Sequence, residues 1–194
     1  MTEPSFLQHV FPSHQFTREE QNAIFPRFKG QHFSKNSFLH NEGSVATHYW
    51  FVQQGFVRSY VHDIEGNDIS TNFYTIGDLV IDWISFFQKT PAKENIQVLT
   101  DCVVWGIDYD SFQELYHGIK TFNEHGRATM VQGYFSLKER SIAMITEQAK
   151  DRYVRLLREK PEIIQNVSLK HIATYLGITD TSLSRIRKDL MSES

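Results

Sequence analysis

The chain has 194 residues, 40% of them hydrophobic, with 15 Phe and 8 Tyr, and its formal net charge is −3. That is enough apolar material for a sizeable core in one or two domains, and no apolar run approaches the roughly 18 residues a membrane helix needs. The single cysteine, Cys102, sits in an apolar run; it excludes an intramolecular disulfide and a cysteine-ligated iron–sulfur cluster or zinc ribbon, and reads as a buried, inert thiol.

The opening, MTEPSFLQHVFPSHQF, has neither the basic start nor the apolar stretch of a signal peptide, so a cytoplasmic protein is expected. Residues 5–30 carry Phe6, Val10, Phe16, Ile24, Phe25 and Phe28 at helix-compatible spacing, interrupted at Pro12 and Pro26. From about Gln31 to Ile107 the pattern changes to short strands and tight turns. FLHNEG ends in a Gly turn. Two strands flank Gln54-Gly55, another pair flanks Glu65-Gly66-Asn67, and two more bend at Thr100-Asp101. Strands at this spacing predict an antiparallel β-roll. IGDLVIDWISFFQKTPAKE interrupts it with a Gly turn, a short helix and a Pro-containing loop, a place where a pocket is expected.

Beyond Tyr109 the helical period returns. A short helix is expected over Tyr109–His117 and a long one over Phe122–Gln148. The long helix carries two apolar stripes, Met130-Tyr134-Leu137-Ser141-Met144 and Val131-Phe135-Ile142-Ile145-Ala149. One stripe is expected to cover the roll and the other to meet the same helix of a second chain. DRYVRLLREKPEII predicts a further amphipathic helix ending near Pro161.

Residues 168–190, SLKHIATYLGITDTSLSRIRKDL, have the pattern of a helix-turn-helix. Ile172, Ala173 and Leu176 form an apolar stripe on a first helix, Gly177 ends it, and Ile178 plugs the turn. Thr179 is placed to cap a second helix, whose Leu183, Ile186 and Leu190 face back. The outer face carries Asp180, Thr181, Ser182, Ser184, Arg185 and Lys188, short polar and basic groups suited to a major groove. Charge is distributed accordingly: Lys150–Leu190 holds nine Lys/Arg against five Asp/Glu, and residues 1–149 hold eleven against seventeen. A basic end points to nucleic acid. Only four residues follow Leu190, so any wing is expected to be short or absent.

No Gly-rich phosphate loop and no nucleophile elbow is present. His32, His40, His48 and His62 lack the spacing of a roll-shaped metalloenzyme, so no catalytic or metal site is expected.

In this order (FLHNEG with YWFVQQGFVRSYV, then IGDL, NIQVLTDCVVWGI, DRYVRLL and IATYLGITDTSLSRIRKDL) the chain resembles the bacterial Crp/Fnr transcription regulators over nearly its whole length. The resemblance implies an α+β chain. Residues 1–120 would form a cyclic-nucleotide-binding-like roll, 121–148 a dimerisation helix, and 149–194 a winged-helix-like helix-turn-helix domain. It implies a homodimer reading a two-fold operator in double-stranded DNA, with RNA polymerase as a further partner if the chain activates transcription.

Carried over by position, Asp180, Thr181 and Arg185 would read bases, Arg185 binding a guanine bidentately. Thr179, Ser182, Ser184 and Lys188 would hold phosphates. In the effector pocket Asp78 stands at the ribose-binding acid, Ala92-Lys93 at the phosphate-binding Arg-Ser, and Tyr134 and Lys138 on the helix that closes the pocket. Lys93 lacks the planar fork of Arg, and these departures argue against cyclic AMP. The alternatives are a ligand-binding or interaction module that has lost DNA binding, and a β-roll enzyme.

Overall fold

The computed structural model describes residues 5–192. Helices α1 (Ser5–Val10) and α2 (Arg18–Ile24) open the chain. Thr17 caps α2 reciprocally: its Oγ1 accepts the Glu20 N–H at 3.2 Å, and the Glu20 carboxylate accepts the Thr17 N–H at 2.8 Å. A single 3-10 turn at Phe25–Arg27 then feeds β1 (Lys29–Phe33), two residues earlier than the strand pattern begins in the sequence.

Strands β2 (Phe38–His40), β3 (His48–Gln54), β4 (Val57–His62), β5 (Asp68–Tyr74) and β6 (Leu79–Val80) follow. Helix α3 (Trp83–Gln88) separates them from β7 (Asn95–Val98) and β8 (Cys102–Asp108). The strands form two antiparallel four-stranded sheets, β1-β8-β3-β6 and β2-β7-β4-β5. The expected turns are present: Gly55, Gly66 and Gly77 all have positive φ, which an L side chain adopts at a cost.

The roll has two apolar faces, because side chains alternate along each strand. Trp50, Val52, Val57, Val98, Cys102 and Val104 fill the interior. Tyr49 and Phe51 point the other way, into an aromatic cluster with Phe11, Phe28, Phe86, Phe112 and Phe122. Burial pushes the Cys102 thiol above its ordinary pKa, so it carries no nucleophilic thiolate.

Helix α4 (Tyr109–Gly118) is capped by Asp108 and leads into α5 (Lys120–Thr146). Then come α6 (Ala149–Glu159), α7 (Pro161–Asn166), α8 (Leu169–Tyr175) and α9 (Asp180–Ser192). As expected, the amphipathic helix α6 ends next to Pro161, at Glu159; Pro161 itself opens α7 at a first-turn position, where its missing N–H costs nothing. One expectation needs correction. The long helix ends at Thr146, so Ala149 belongs to α6.

The larger departure concerns the two stripes. Neither covers the roll. Met130, Tyr134, Leu137 and Met144 are exposed, and so are Val131, Phe135, Ile142 and Ile145, with Leu137 at 63% and Ile145 at 84%. Only Phe122 and Ala143 of α5 are buried.

Gly106 in β8 lies directly opposite Trp50 in β3, and a Cβ there would run into the Trp50 ring. Trp50 is buried and stacked on His48 with ring centroids 5.1 Å apart, so it has no room to yield. Gly106→Ala should therefore destabilise the roll by about 1–3 kcal/mol, seen as a lower Tm in thermal denaturation.

Candidate functional site

The α8–α9 corner is built from local signals. Ser168 caps α8, accepting the His171 N–H. Gly177 closes α8 with φ +69°: its N–H donates to Thr174 O at 3.1 Å and the Ile178 N–H to Ala173 O at 3.0 Å. Thr179 then caps α9, its Oγ1 accepting the Ser182 N–H at 3.2 Å and meeting Ser182 Oγ at 2.9 Å. Ile172, Ala173, Leu176 and Leu183 form the buried contact between the two helices.

With Leu183 inward, α9 turns its other face outward. Asp180, Thr181, Ser184, Arg185 and Lys188 are exposed, and no hydrogen bond or ion pair engages the Arg185 or Lys188 side chain among the described residues. Thr179 and Ser182 are spent on one another as a cap, and Ser182 is half-buried. The outward set combines one guanidinium, one ammonium and short hydroxyls, which suits phosphates and base edges.

Two arginines hold the corner to the long helix. Arg140 of α5 donates to Tyr175 O at 3.1 Å and stacks over the Tyr175 ring at 4.3 Å. Arg152 of α6 donates to Leu176 O at 2.8 Å and to Glu147 O. Both cations sit at the carbonyl end of α8, where the helix dipole favours positive charge.

The same helix docks on the roll. Thr174 Oγ1 accepts the Ser70 N–H of β5 at 3.1 Å, and Phe73 of β5 joins the apolar cluster of the helix-turn-helix, 5.1 Å from the Tyr175 ring. Arg58 of β4, 2% exposed, lies at the centre of this contact. It donates to Asp68 Oδ2 at 2.6 Å, to Gln97 Oε1 at 2.8 and 3.0 Å, and to His171 Nδ1 at 2.9 Å. A guanidinium only donates, so Nδ1 must accept and His171 is neutral with its proton on Nε2. Burial, then the charges of Arg58 and Lys170, push His171 down to about 4 against the pull of Asp68.

The sequence-derived effector residues are not brought together. Asp78 faces the helix-turn-helix domain, accepting from Lys160 Nζ at 3.2 Å and from the Thr75 N–H at 2.9 Å. Lys93 is exposed on the loop after α3, and Tyr134 and Lys138 are exposed on α5. No hydrogen bond or ion pair joins any two of these four among the described residues.

A different set occupies the roll beneath α5. Asp82, 9% exposed, caps α3 by accepting the Ser85 N–H at 2.9 Å. Glu94 lies within electrostatic reach of it; burial raises its carboxyl, the Thr71 hydroxyl opposes this, and Asp82 raises it further. Burial pushes Tyr74 up to about 12. The His40 Nε2 is buried without a hydrogen-bond partner, and burial lowers that imidazole although Asp82 pulls the other way. Among the described residues, Arg140 is the cation that opposes this rise at Glu94. A cyclic phosphate would meet two carboxylates and, at the Arg-Ser position, buried Ala92 and exposed Lys93. These residues do not fit a cyclic nucleotide. Asp78 follows the Gly turn and faces Lys160; the buried acid is Asp82, marked along the chain only by the start of α3, which it caps.

Residues 30–118 match the family described as "cyclic nucleotide-binding domain". Among solved structures the chain is similar to FixK2 from Bradyrhizobium japonicum, with TM-score 0.74, 17% identity and coverage of 86% of this chain and 85% of that one. It is similar to CLP, a c-di-GMP-responsive global regulator of Xanthomonas campestris, with TM-score 0.68, 17% identity and coverage of 90% and 92%. A transcriptional regulator assigned to the crp/fnr family of Eubacterium rectale gives TM-score 0.70, 17% identity and coverage of 95% and 88%. No curated protein sequence matches the chain.

Because His171 is held below its ordinary value near 6.5, the folded protein binds fewer protons than the unfolded chain between that value and about 4. The stability it contributes is full above pH 6.5 and is lost as pH falls toward 4. Thermal denaturation should show Tm falling from pH 7 to pH 5. His171→Asn, whose amide oxygen can still accept from Arg58, should make that fall shallower.

Proposed function

We propose that this chain, which has the fold of the Crp/Fnr transcription regulators, is a DNA-binding regulator that acts as a homodimer on a two-fold operator. The observation that carries the reading is α9: over a buried Leu183 it holds Thr181, Ser184, Arg185 and Lys188 outward, unobstructed by the roll. A helix so presented enters a major groove, with Arg185 placed for a guanine and Lys188 for a phosphate. Asp180, in the first turn of α9, supports that helix end and can accept from a cytosine amine.

The uncovered stripes of α5 support the homodimer. Eight large apolar side chains on one helix, left in water, form a surface that a second copy of the same helix would cover. Two-fold pairing along α5 sets two copies of α9 to meet half-sites about 34 Å apart. The roll then serves as the regulatory part. Its interior, holding Asp82 and Glu94, favours a ligand other than a cyclic nucleotide, and the c-di-GMP response of CLP is not carried over, since that ligand also brings phosphates.

Sedimentation tests the assembly. The wild-type chain should sediment as a dimer, and the double variant Leu137→Asp/Ile142→Asp, altered at exposed positions, should stay folded as a single chain and lose operator affinity. An unchanged mass would refute pairing through α5. On the operator, Arg185→Ala should cost about 1–3 kcal/mol and relax preference at one base position per half-site. Lys188→Gln should weaken binding to all sequences alike and reduce the salt slope by about one ion per subunit.

A further inference from the structure

A cavity lies outside the roll interior, on the opposite face of the β1-β8-β3-β6 sheet. It measures about 250 Å³ and is enclosed by that sheet, α3, α4 and the first half of α5. Its walls are aromatic: Phe11, Phe51, Phe112, Tyr116 and Phe122 belong to one continuous cluster, with Phe112–Tyr116 centroids 5.3 Å apart and Phe11–Phe122 centroids 5.8 Å apart. Trp83 and Phe87, also lining the cavity, stack 5.9 Å apart at an interplanar angle of 7° and stay 39% and 40% exposed. Two large rings left in water beside an apolar hollow form its entrance.

Size and charge narrow the occupant. An apolar cavity of about 150 Å³ takes up benzene. One of 250 Å³ holds a single aromatic ring with a short side chain. No Asp or Glu lines it. The charged or titratable lining groups are Arg127, His117, His125 and the two tyrosines. Burial lowers His125, which keeps it neutral, and His117 is tied to Gln113 at 3.0 Å. Arg127 makes no hydrogen bond or ion pair among the described residues. An aromatic body thus has a wall of rings, and a carboxylate has one guanidinium at the rim. The roll interior, with Asp82 and Glu94, has the opposite charge preference.

We propose that the chain binds a small aromatic monocarboxylate in this cavity, its ring among Phe51, Phe112 and Phe122 and its carboxylate toward Arg127. The inference does not depend on DNA binding. It gives the ligand a route to the rest of the molecule, because Met130 lines the cavity and also begins one exposed stripe of α5.

The test is calorimetric titration of the full-length protein with phenylacetate and with phenylacetamide, its uncharged counterpart. Saturable binding of phenylacetate at one per chain is expected, with the amide at least ten-fold weaker. Gly126 lines the cavity, and a Cβ there would meet Tyr116 Cε2 at 3.8 Å, an ordinary contact. Gly126→Leu should therefore fold, as melting would verify, and abolish binding by filling the space. Arg127→Gln, at an exposed site that cannot unfold the chain, should erase the preference for acid over amide. The proposal is overturned if phenylacetate does not saturate, if Arg127→Gln leaves the preference intact, or if a folded Gly126→Leu binds as well as wild type. It is also overturned if only the Leu137→Asp/Ile142→Asp chain binds, which would make a second copy the occupant.

Discussion

One helix constrains everything else in this molecule. The middle of α5 is apolar on both sides and stands exposed among the described residues. An amphipathic helix on a globular domain needs one apolar face; a helix that is apolar around much of its circumference must be buried on more than one side. The roll takes its first turns through Phe122, and the helix-turn-helix is held to its later turns through Arg140. The stretch between stays exposed. It lies between the roll and the helix-turn-helix, so pairing there would fix the distance between two copies of α9.

The second constraint is the contact between the helix-turn-helix and the roll. Arg58 is buried with acceptors for four of its five N–H groups, one of them contributed by α8. Losing His171 would leave a buried guanidinium donor without its partner, which is costlier than losing an exposed bond. Lys160 with Asp78, and Thr174 with Ser70, extend the seam. Helix α8, and with it α9, is thus held against β4 and β5, strands that also wall the roll interior through Ser59, Thr71 and Tyr74. A change inside the roll has a short physical path to α9.

Much of this was legible in the chain because the signals are local. Ser168, Gly177 and Thr179 set the corner by hydrogen bonds spanning no more than five residues. Gly55 and Gly66 marked the hairpins through their backbone freedom. The strands declared themselves by composition, and the interior Cys102 by its neighbours. What escaped the sequence depends on distant residues. Arg58 and His171 stand 113 positions apart, and no pattern along the chain joins them. That the buried acid is Asp82 rather than Asp78 depends on where α3 begins, since Asp82 caps that helix. The two stripes of α5 were visible, but periodicity cannot tell a face that meets its own domain from one that meets a copy.

The central claim is that two chains, paired along α5, read a symmetric DNA sequence through α9. Selection from random duplex DNA with the purified, full-length protein tests it most directly, provided ligand-free protein and protein with phenylacetate are both used. The account predicts an enriched motif with two-fold symmetry, its half-sites one helical turn apart, and loss of one base preference per half-site in Arg185→Ala. No enrichment under either condition, or an asymmetric motif indifferent to Arg185, would contradict it.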